Sequence, residues 1–352
     1  MHGKLVSKIQ KACVPERNRW HGLRLLAADK TNLALPESKS LYKRFGAHRG
    51  SRGLGPICVE LCCLFDVISR APLRFVYGKS STSEHNLIPK LIGYLKKGDL
   101  LLLDSGFYSC KTLSKIMDRP AHFIIPVKDD LRPKVQRTLG DSDYLCQVQN
   151  SYDKTTINVR VVFVHRDGFR RRRLMTSLMD HIQFPASELA RLYHLRWDIE
   201  TFYFDFKCTI RATQWHCQAP ETFHQELLMH MIICCLIRTA MIEGSGLHGL
   251  SVRQLSFTRA LTETRLFFRK LTTSVEVCLW ISIWMLYVQH CALHRVKYKP
   301  NRHFSRDKQE YRKKSRGLEK RKRGRKCKYK ETSPSPKPET HKDLKGQVFL
   351  LS

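Results

Sequence analysis

The feature that most constrains the fold is a run of four leucines, Leu100–Leu103, which ends at Asp104. Successive side chains of a strand point to opposite faces, so an apolar run without alternation predicts a strand that is buried on both faces. The helical pattern of Asn86–Lys97 precedes this strand, and a short helix over Cys110–Asp118 and a strand over His122–Val127 follow it. This order predicts an α/β fold with a central strand that is covered by helices.

Three more strands are predicted in the first part of the chain. Leu23–Ala28 forms the first and ends on Asp29, while Ile57–Phe65 and Arg74–Tyr77 lie on either side of a short polar turn. An acid that follows a strand is often a turn or capping residue, so the position of Asp29 does not by itself assign a chemical role. Asp66 also follows a strand and has the same two interpretations.

The remainder of the chain changes character twice. Residues 131–180 contain short strand-like pieces, which predict a small β insertion, and long helical patterns follow from residue 187. The predicted divisions are a short N-terminal segment at 1–20, the first part of the core at 21–130, the β insertion at 131–180, a helical part of the core at 181–294 and a basic, disordered tail at 295–352.

The charge of the chain favours a polyanionic partner. Lys and Arg number 63 against 31 Asp and Glu, a net charge of +32. Residues 295–352 contribute +15, from 21 basic and 6 acidic residues, so the rest of the chain carries +17 and is basic in its own right. Such an excess is typical of proteins that bind nucleic acid, and the composition excludes a collagenous chain. Arg170–Arg173 and Arg312–Lys330 are basic clusters for which DNA contact and a solvated surface are both open interpretations.

The cysteines and the apolar segments indicate the compartment. Most of the 13 cysteines lie in apolar stretches, where a reduced cysteine behaves as a small hydrophobic residue, and this predicts a reducing, cytoplasmic location. No signal peptide is evident at the start of the sequence. Leu227–Ile242 and Val277–Val288 are shorter than the roughly 20 residues of a membrane span, so we predict buried core helices and no membrane partner.

One helical segment, Ser187–Cys208, combines an apolar face with a polar stripe. At about 100° per residue, Tyr193, Arg196, Glu200 and Lys207 share an arc of roughly 60°. Three hydrogen-bond donors around one carboxylate suit a phosphate backbone that is held beside a metal ligand. The alternative is an ordinary solvated face with matched charges, which many helices have.

These residues carry a family resemblance. The spacing of Tyr193, Arg196, Glu200 and Lys207 resembles the YREK signature of DDE transposases of bacterial insertion sequences, the insertion-sequence-four family. The surrounding segment, LYHLRWDIETFYFDFK, is similar to the family consensus around its catalytic glutamate. LLLDSGFYS resembles the segment of the second catalytic aspartate, at Asp104, and LLAADKTNLALPES that of the first, at Asp29. Three motifs occur in the family's order.

The resemblance implies a fold and an activity. The fold is a ribonuclease-H-like mixed sheet flanked by helices, with the β insertion before the glutamate-bearing helix. The activity is cut-and-paste DNA transposition, in which Asp29, Asp104 and Glu200 hold two Mg²⁺ ions, for which Mn²⁺ substitutes. Tyr193, Arg196 and Lys207 bind DNA phosphates. The implied partners are double-stranded DNA, as transposon ends and target, and a second copy of the chain in a synaptic homodimer. The implied location is the bacterial cytoplasm, with association to the nucleoid when DNA is bound.

Departures from the family pattern keep two alternatives open. Lys30 stands where the family often has glycine, and lysine cannot adopt a positive φ freely. Only 28 residues precede Asp29, whereas the family usually has a helical DNA-binding domain there, so we expect poor recognition of specific ends. A decayed remnant that binds DNA without turnover and a metal-dependent nuclease therefore remain alternatives to a transposase.

Overall fold

The computed structural model describes residues 19–50, 53–128, 131–150, 154–164, 172–274 and 276–296. Predictions for most of the N-terminal segment, for the first two arginines of the 170–173 cluster and for nearly all of the basic tail lie outside these residues. The described strands are β1 (Arg24–Ala34), β2 (Ala47–Gly50), β3 (Gly53–Asp66), β4 (Ala71–Lys79), β5 (Asp99–Leu102), β6 (His122–Pro126), β7 (Lys134–Gly140), β8 (Asp143–Gln149), β9 (Thr156–Val164) and β10 (Arg172–Thr176).

The described strands form one mixed sheet in the order β2-β3-β1-β5-β6-β10-β9-β8-β7, with β4 paired to β3. The central strands β1, β5 and β6 are parallel, whereas β3 and β4 continue the sheet antiparallel on one side and β10 does so on the other. The predicted β insertion is therefore built into the same sheet, because β10 pairs with β6 and β9, β8 and β7 follow it outward.

Helices cover both faces of the central strands. The described helices are α1 (Lys39–Phe45), α2 (Glu84–Ile92), α3 (Cys110–Met117), α4 (Ala186–His194), α5 (Asp198–Phe204), α6 (Pro220–Leu247), α7 (Phe257–Thr273) and α8 (Leu279–Leu293). Alternate residues of β1 belong to different cores: Leu25 and Ala27 pack with α4, α5 and α6, whereas Leu26 and Ala28 pack with α2 and α3. All four leucines of Leu100–Leu103 are buried, so the predicted α/β class and its covered central strand are confirmed.

Strand β1 is longer than predicted. It continues through Asp29 to Ala34, so the prediction that Asp29 ends its strand is wrong. The reason is non-local: β3 pairs with β1 along its whole second half, with Asp29 opposite Cys63 and Ala34 opposite Cys58. That antiparallel partner satisfies the backbone of the polar segment that follows Asp29, although this segment resembles a turn when it is considered alone.

The long apolar helix also differs from its prediction. Helix α6 has 28 residues, so the argument that this segment is too short to cross a membrane is wrong, and by length and composition alone α6 qualifies as a candidate span. Most of its apolar window is buried in the protein. One end packs in the core beneath β1, and the other packs against α7 and α8 in a third core with Met241, Phe267 and Val288. Burial within the protein thus accounts for its apolar sequence.

Asp66 is structural in this fold. Its Oδ1 accepts hydrogen bonds from the backbone N–H and the hydroxyl of Ser69, at 2.7 and 2.6 Å, and the side chain is completely buried. It lies opposite Leu26, about 10 Å along β1 from Asp29 at about 3.3 Å per residue. Burial raises the pKa of Asp66 to about 6, because the carboxylate loses its hydration.

This raised pKa predicts the effect of Asp66→Asn on stability. Because the pKa of Asp66 is higher in the folded protein than in the unfolded chain, the unfolded chain ionises first as the pH rises. The wild-type protein therefore has its full stability below about pH 4 and loses part of it as the pH rises through about 6. The amide stays neutral and keeps an acceptor for Ser69. We therefore expect the variant to gain up to about 3 kcal/mol of unfolding free energy relative to wild type between pH 4 and 7.5. Urea denaturation at both pH values measures this gain, and a pH-independent difference would contradict the assignment.

Candidate active site

Two predicted acids lie side by side on neighbouring strands. The parallel pairing of β1 with β5 places Ala27 beside Leu102, and β5 then ends while β1 continues. Two residues beyond this pair lie Asp29, within β1, and Asp104, just after the end of β5, and the two strands are about 4.8 Å apart. Asp104 is exposed and precedes a short 3₁₀ turn, Ser105–Phe107, where the backbone leaves the sheet. The end of β5 therefore opens a cleft beside Asp29.

The side chain of Asp29 faces this cleft on the side of the sheet that α5 covers. Its Oδ1 accepts a hydrogen bond from the backbone N–H of Lys30 at 2.8 Å. Burial raises the pKa of Asp29 to about 6; the Lys30 hydrogen bond and Arg196 oppose this rise, while Glu200 and Asp104 add to it. The three predicted acids are thus electrostatic neighbours, although 171 residues separate the first from the last.

Arg196 links the first acid to the third. Its Nη2 lies 2.7 Å from Oε1 of Glu200, and its Nη1 lies 3.6 Å from Oδ2 of Asp29. The guanidinium is largely buried. A buried cation between two carboxylates offsets part of their mutual repulsion.

Tyr193 holds the second acid in place. Its hydroxyl donates to the carbonyl oxygen of Leu103 at 3.1 Å, immediately before Asp104. Burial raises the pKa of Tyr193 well above its usual value, so the phenol is neutral at physiological pH and available as a donor. The structure therefore brings Asp29, Asp104, Tyr193, Arg196 and Glu200 together.

Lys207 lies apart from these five residues. Burial lowers the pKa of Lys207, and the charged groups that oppose this shift are Cys208 and Glu60, not the three predicted acids. The helix is irregular, because a 3₁₀ turn at Leu195–Trp197 and a π-helical turn at Asp205–Thr209 interrupt it. Each changes the rotation per residue, so a wheel drawn at a constant 100° does not fix the direction of Lys207.

Lys30 is compatible with the fold in spite of the glycine that the family often has there. It lies within β1 and is not among the described non-glycine residues with positive φ. Its side chain points to the opposite face from Asp29, where Nζ lies 3.4 Å from Oε2 of Glu60. That carboxylate also accepts a hydrogen bond from Asn32. No left-handed turn is needed at this position, so lysine is not strained.

Tyr203 is a site residue that the sequence pattern did not single out. Its hydroxyl donates to the carbonyl oxygen of Asp29 at 2.6 Å and accepts from the backbone N–H of Cys63 at 3.2 Å. It lies one turn after Glu200, so it fastens the helix of the third acid to the strand of the first. In the sequence, only its position three residues after Glu200, on the same helix face, indicates that Tyr203 lies near the site.

Removal of this hydroxyl should therefore affect both stability and geometry. We expect Tyr203→Phe to lower the free energy of unfolding by about 1–3 kcal/mol, because two buried backbone groups lose their shared partner. Thermal and urea denaturation measure the loss. Tyr42→Phe, at an exposed tyrosine of α1, is the matched control and should leave stability unchanged. Equal stabilities for the two variants would show that the Tyr203 contacts contribute nothing.

The donor set is chemically suited to a divalent cation. Three carboxylates supply the hard oxygen ligands that Mg²⁺ and Mn²⁺ accept, and the raised pKa of Asp29 reflects buried negative charge that Arg196 only partly offsets. As placed, no three acidic, histidine or cysteine side chains among the described residues are arranged around a common point that could hold an ion. Arg196, in contact with Asp29 and Glu200, supplies the positive charge in this arrangement.

Comparisons with known proteins find matches that cover most of the chain. The family described as Transposase DDE domain matches residues 20–236, a range that contains all six predicted site residues. Transposase InsG for insertion sequence element IS4, from Escherichia coli K12, is 28% identical over 256 residues, which are 68% of this chain and 58% of that protein. The chain thus spans less than two thirds of this relative. A piggyBac transposase synaptic complex with hairpin DNA matches 82% of this chain and 62% of its own at 11% identity, but its TM-score of 0.43 is too low to support an argument.

Proposed function

Because the chain belongs to the Transposase DDE domain family, we propose that it cuts and joins DNA at the ends of a transposable element by cut-and-paste transposition. The observation that carries the proposal is the placement of Asp29 within β1 and of Asp104 just after the neighbouring strand β5, with Glu200 joined to Asp29 through Arg196. Such a cluster in a basic protein suits phosphoryl transfer on nucleic acid.

The proposed roles follow from the contacts. Asp29, Asp104 and Glu200 would hold two Mg²⁺ ions, with Mn²⁺ as a substitute, and such ions would supply Lewis-acid activation at the attacking and leaving oxygens. Arg196 binds a non-bridging phosphate oxygen with donors that Asp29 and Glu200 keep in place. Tyr193 positions the backbone before Asp104 through its bond to Leu103. We also propose that Lys207, although it lies apart from the other five residues, binds a DNA phosphate in the assembled complex.

The reaction has two in-line displacements. Water first attacks a phosphodiester at the element end, which leaves a 5′-phosphate and a free 3′-hydroxyl. That 3′-hydroxyl then attacks a second phosphodiester, so a new P–O bond forms as the old one breaks and the departing 3′-oxygen takes up the proton. Fixed positive charge around the transferring group lowers the barrier of both steps.

The partners and location belong to the same proposal. Double-stranded DNA is the substrate, as the element ends and the target, and its binding accounts for the net charge of +32. Two copies form a homodimer in a synaptic complex that holds both ends. The protein acts in the bacterial cytoplasm, associates with the nucleoid when DNA is bound and has no membrane partner. We also propose the divisions 1–20, 21–130, 131–180, 181–294 and 295–352.

The decisive experiment is a strand-transfer assay on the full chain. Duplexes that carry the inverted repeats flanking the gene are incubated with target plasmid and Mg²⁺, and the products are separated on denaturing gels. We expect cleavage at the element ends and covalent joining to the target, with neither product in EDTA. Cleavage at random positions without joining would instead indicate a nuclease, and binding without products in Mg²⁺ or Mn²⁺ would indicate a decayed remnant.

A further inference from the structure

The edge of the sheet that carries the two aspartates continues into a pair of basic residues. Strand β6 lies beside β5, with Leu102 next to Ile124, and β10 pairs antiparallel with β6, with Leu174 opposite Pro126. The same register places Arg172 opposite Lys128. A backbone hydrogen bond from the N–H of Val127 to the carbonyl of Arg173 continues this pairing at 2.9 Å. Both cations therefore lie where β5 and β6 end.

Both side chains are exposed. The ammonium of Lys128 lies 5.8 Å from the ring centroid of Tyr108, in the segment that follows Asp104. Arg172 lies on the same face of the sheet as Leu174, which packs in the core under Tyr193. Arg172 also lies within electrostatic range of Tyr193, where it opposes the rise in the pKa of the phenol.

The neighbouring Arg173 binds the backbone at Lys128 and at Leu131. Arg173 donates through Nη2 to the carbonyl of Lys128 at 3.0 Å and through Nη1 to that of Leu131 at 3.4 Å. Its guanidinium is thus engaged by the backbone, in contrast to the exposed Arg172. Of the two described residues of the 170–173 cluster, Arg173 is thus a positioning residue and Arg172 a surface cation.

Along this edge the residues follow in the order Asp29, Asp104, Lys128 and Arg172. They lie within β1, just after β5, just after β6 and at the start of β10. At about 4.8 Å per strand, Arg172 is about 10 Å from the strand of Asp104. We infer that Lys128 and Arg172 bind backbone phosphates next to the reacting one, so that the DNA strand crosses the sheet edge from β1 toward β10. The inference rests on the proposed function and adds the path of the substrate.

Such contacts carry a measurable signature. A cation that neutralises a phosphate releases condensed counterions, so its loss lowers the slope of log affinity against log salt by about 0.9. We therefore expect Lys128→Gln and Arg172→Gln each to reduce the slope by about 0.9, and the double variant to reduce it by about 1.8. Arg172→Lys retains the charge and should restore the wild-type slope.

The test measures binding of the full chain to a random-sequence duplex in EDTA, where no cleavage interferes. Arg137→Gln is the matched control, because Arg137 is an exposed cation on β7, three strands beyond β10. We expect the control to retain the wild-type slope. Unchanged slopes in the double variant, or an equal fall in the control, would overturn the inference. A nuclease or a binding remnant would still show the expected slopes, so failure of the proposed function is detected separately, by the strand-transfer assay.

Discussion

Glu200→Gln, Asp29→Asn and Asp104→Asn should each reduce Mg²⁺-dependent DNA cleavage by at least about a thousandfold while DNA binding persists. Each change removes one negative charge and retains nearly the same shape. The amide oxygen of the Gln side chain can still accept the hydrogen bond that Arg196 donates to Glu200, so the helix should stay in place. Cleavage of a labelled duplex that carries the element's ends, together with a binding titration in EDTA, measures the two properties separately.

The control for these variants is Asp118→Asn. Asp118 is an exposed acid that follows α3, and its removal causes the same change in charge away from the cleft. We expect wild-type cleavage from this variant. Full activity in any one of the three site variants would remove that acid from the site, and loss of binding along with cleavage would indicate a structural role.

A second large effect is expected from the buried pair of Arg238 and Asp205. Nη2 of Arg238 donates to Oδ2 of Asp205 at 2.8 Å, and its guanidinium stacks over Phe257 with 4.4 Å between Cζ and the ring centroid. Only 1% of Arg238 is exposed, and burial lowers its pKa to about 10. Asp205→Ala should therefore lower the free energy of unfolding by about 3–5 kcal/mol, because an unpaired charge remains in the core.

Two companion variants make this prediction specific. Asp205→Ala combined with Arg238→Met removes both charges and should recover much of the lost stability, since a buried ion pair is worth little more than an apolar replacement. Asp198→Ala breaks the more exposed pair with Arg253 and should cost less. Urea denaturation of the four proteins measures these differences. A double variant as unstable as Asp205→Ala would show that packing, and not the stranded charge, causes the loss.

The same pair has a consequence for the active site. Asp205 begins the π-helical turn that follows α5, and Arg238 lies in the middle of α6. Their contact ties the turn that follows the glutamate-bearing helix to the long core helix, as Tyr203 ties the last turn of that helix to β1. The position of Glu200 thus depends on two buried polar contacts that themselves play no part in the chemistry.

Local patterns were sufficient to predict the central part of the fold. Leu100–Leu103 is apolar without alternation because both faces of its strand are covered, and the chemistry of burial acts on each residue independently of its partners. The identities of Asp29, Asp104 and Glu200 as candidate acids likewise followed from residue type and motif order. Each of these properties depends on the residues of one short segment, so the sequence by itself determined them.

Pairings between distant segments were decided only by the tertiary structure. Asp29 lies within a strand because β3 pairs beyond it, and Asp104 lies near it because β5 pairs in parallel register with β1 up to Leu102, two residues before Asp104. The bridge from Arg196 to Asp29 and the proximity of Lys128 to Arg172 also depend on register. Strand register results from many contacts that are summed over the whole sheet, and a local period carries no information about it.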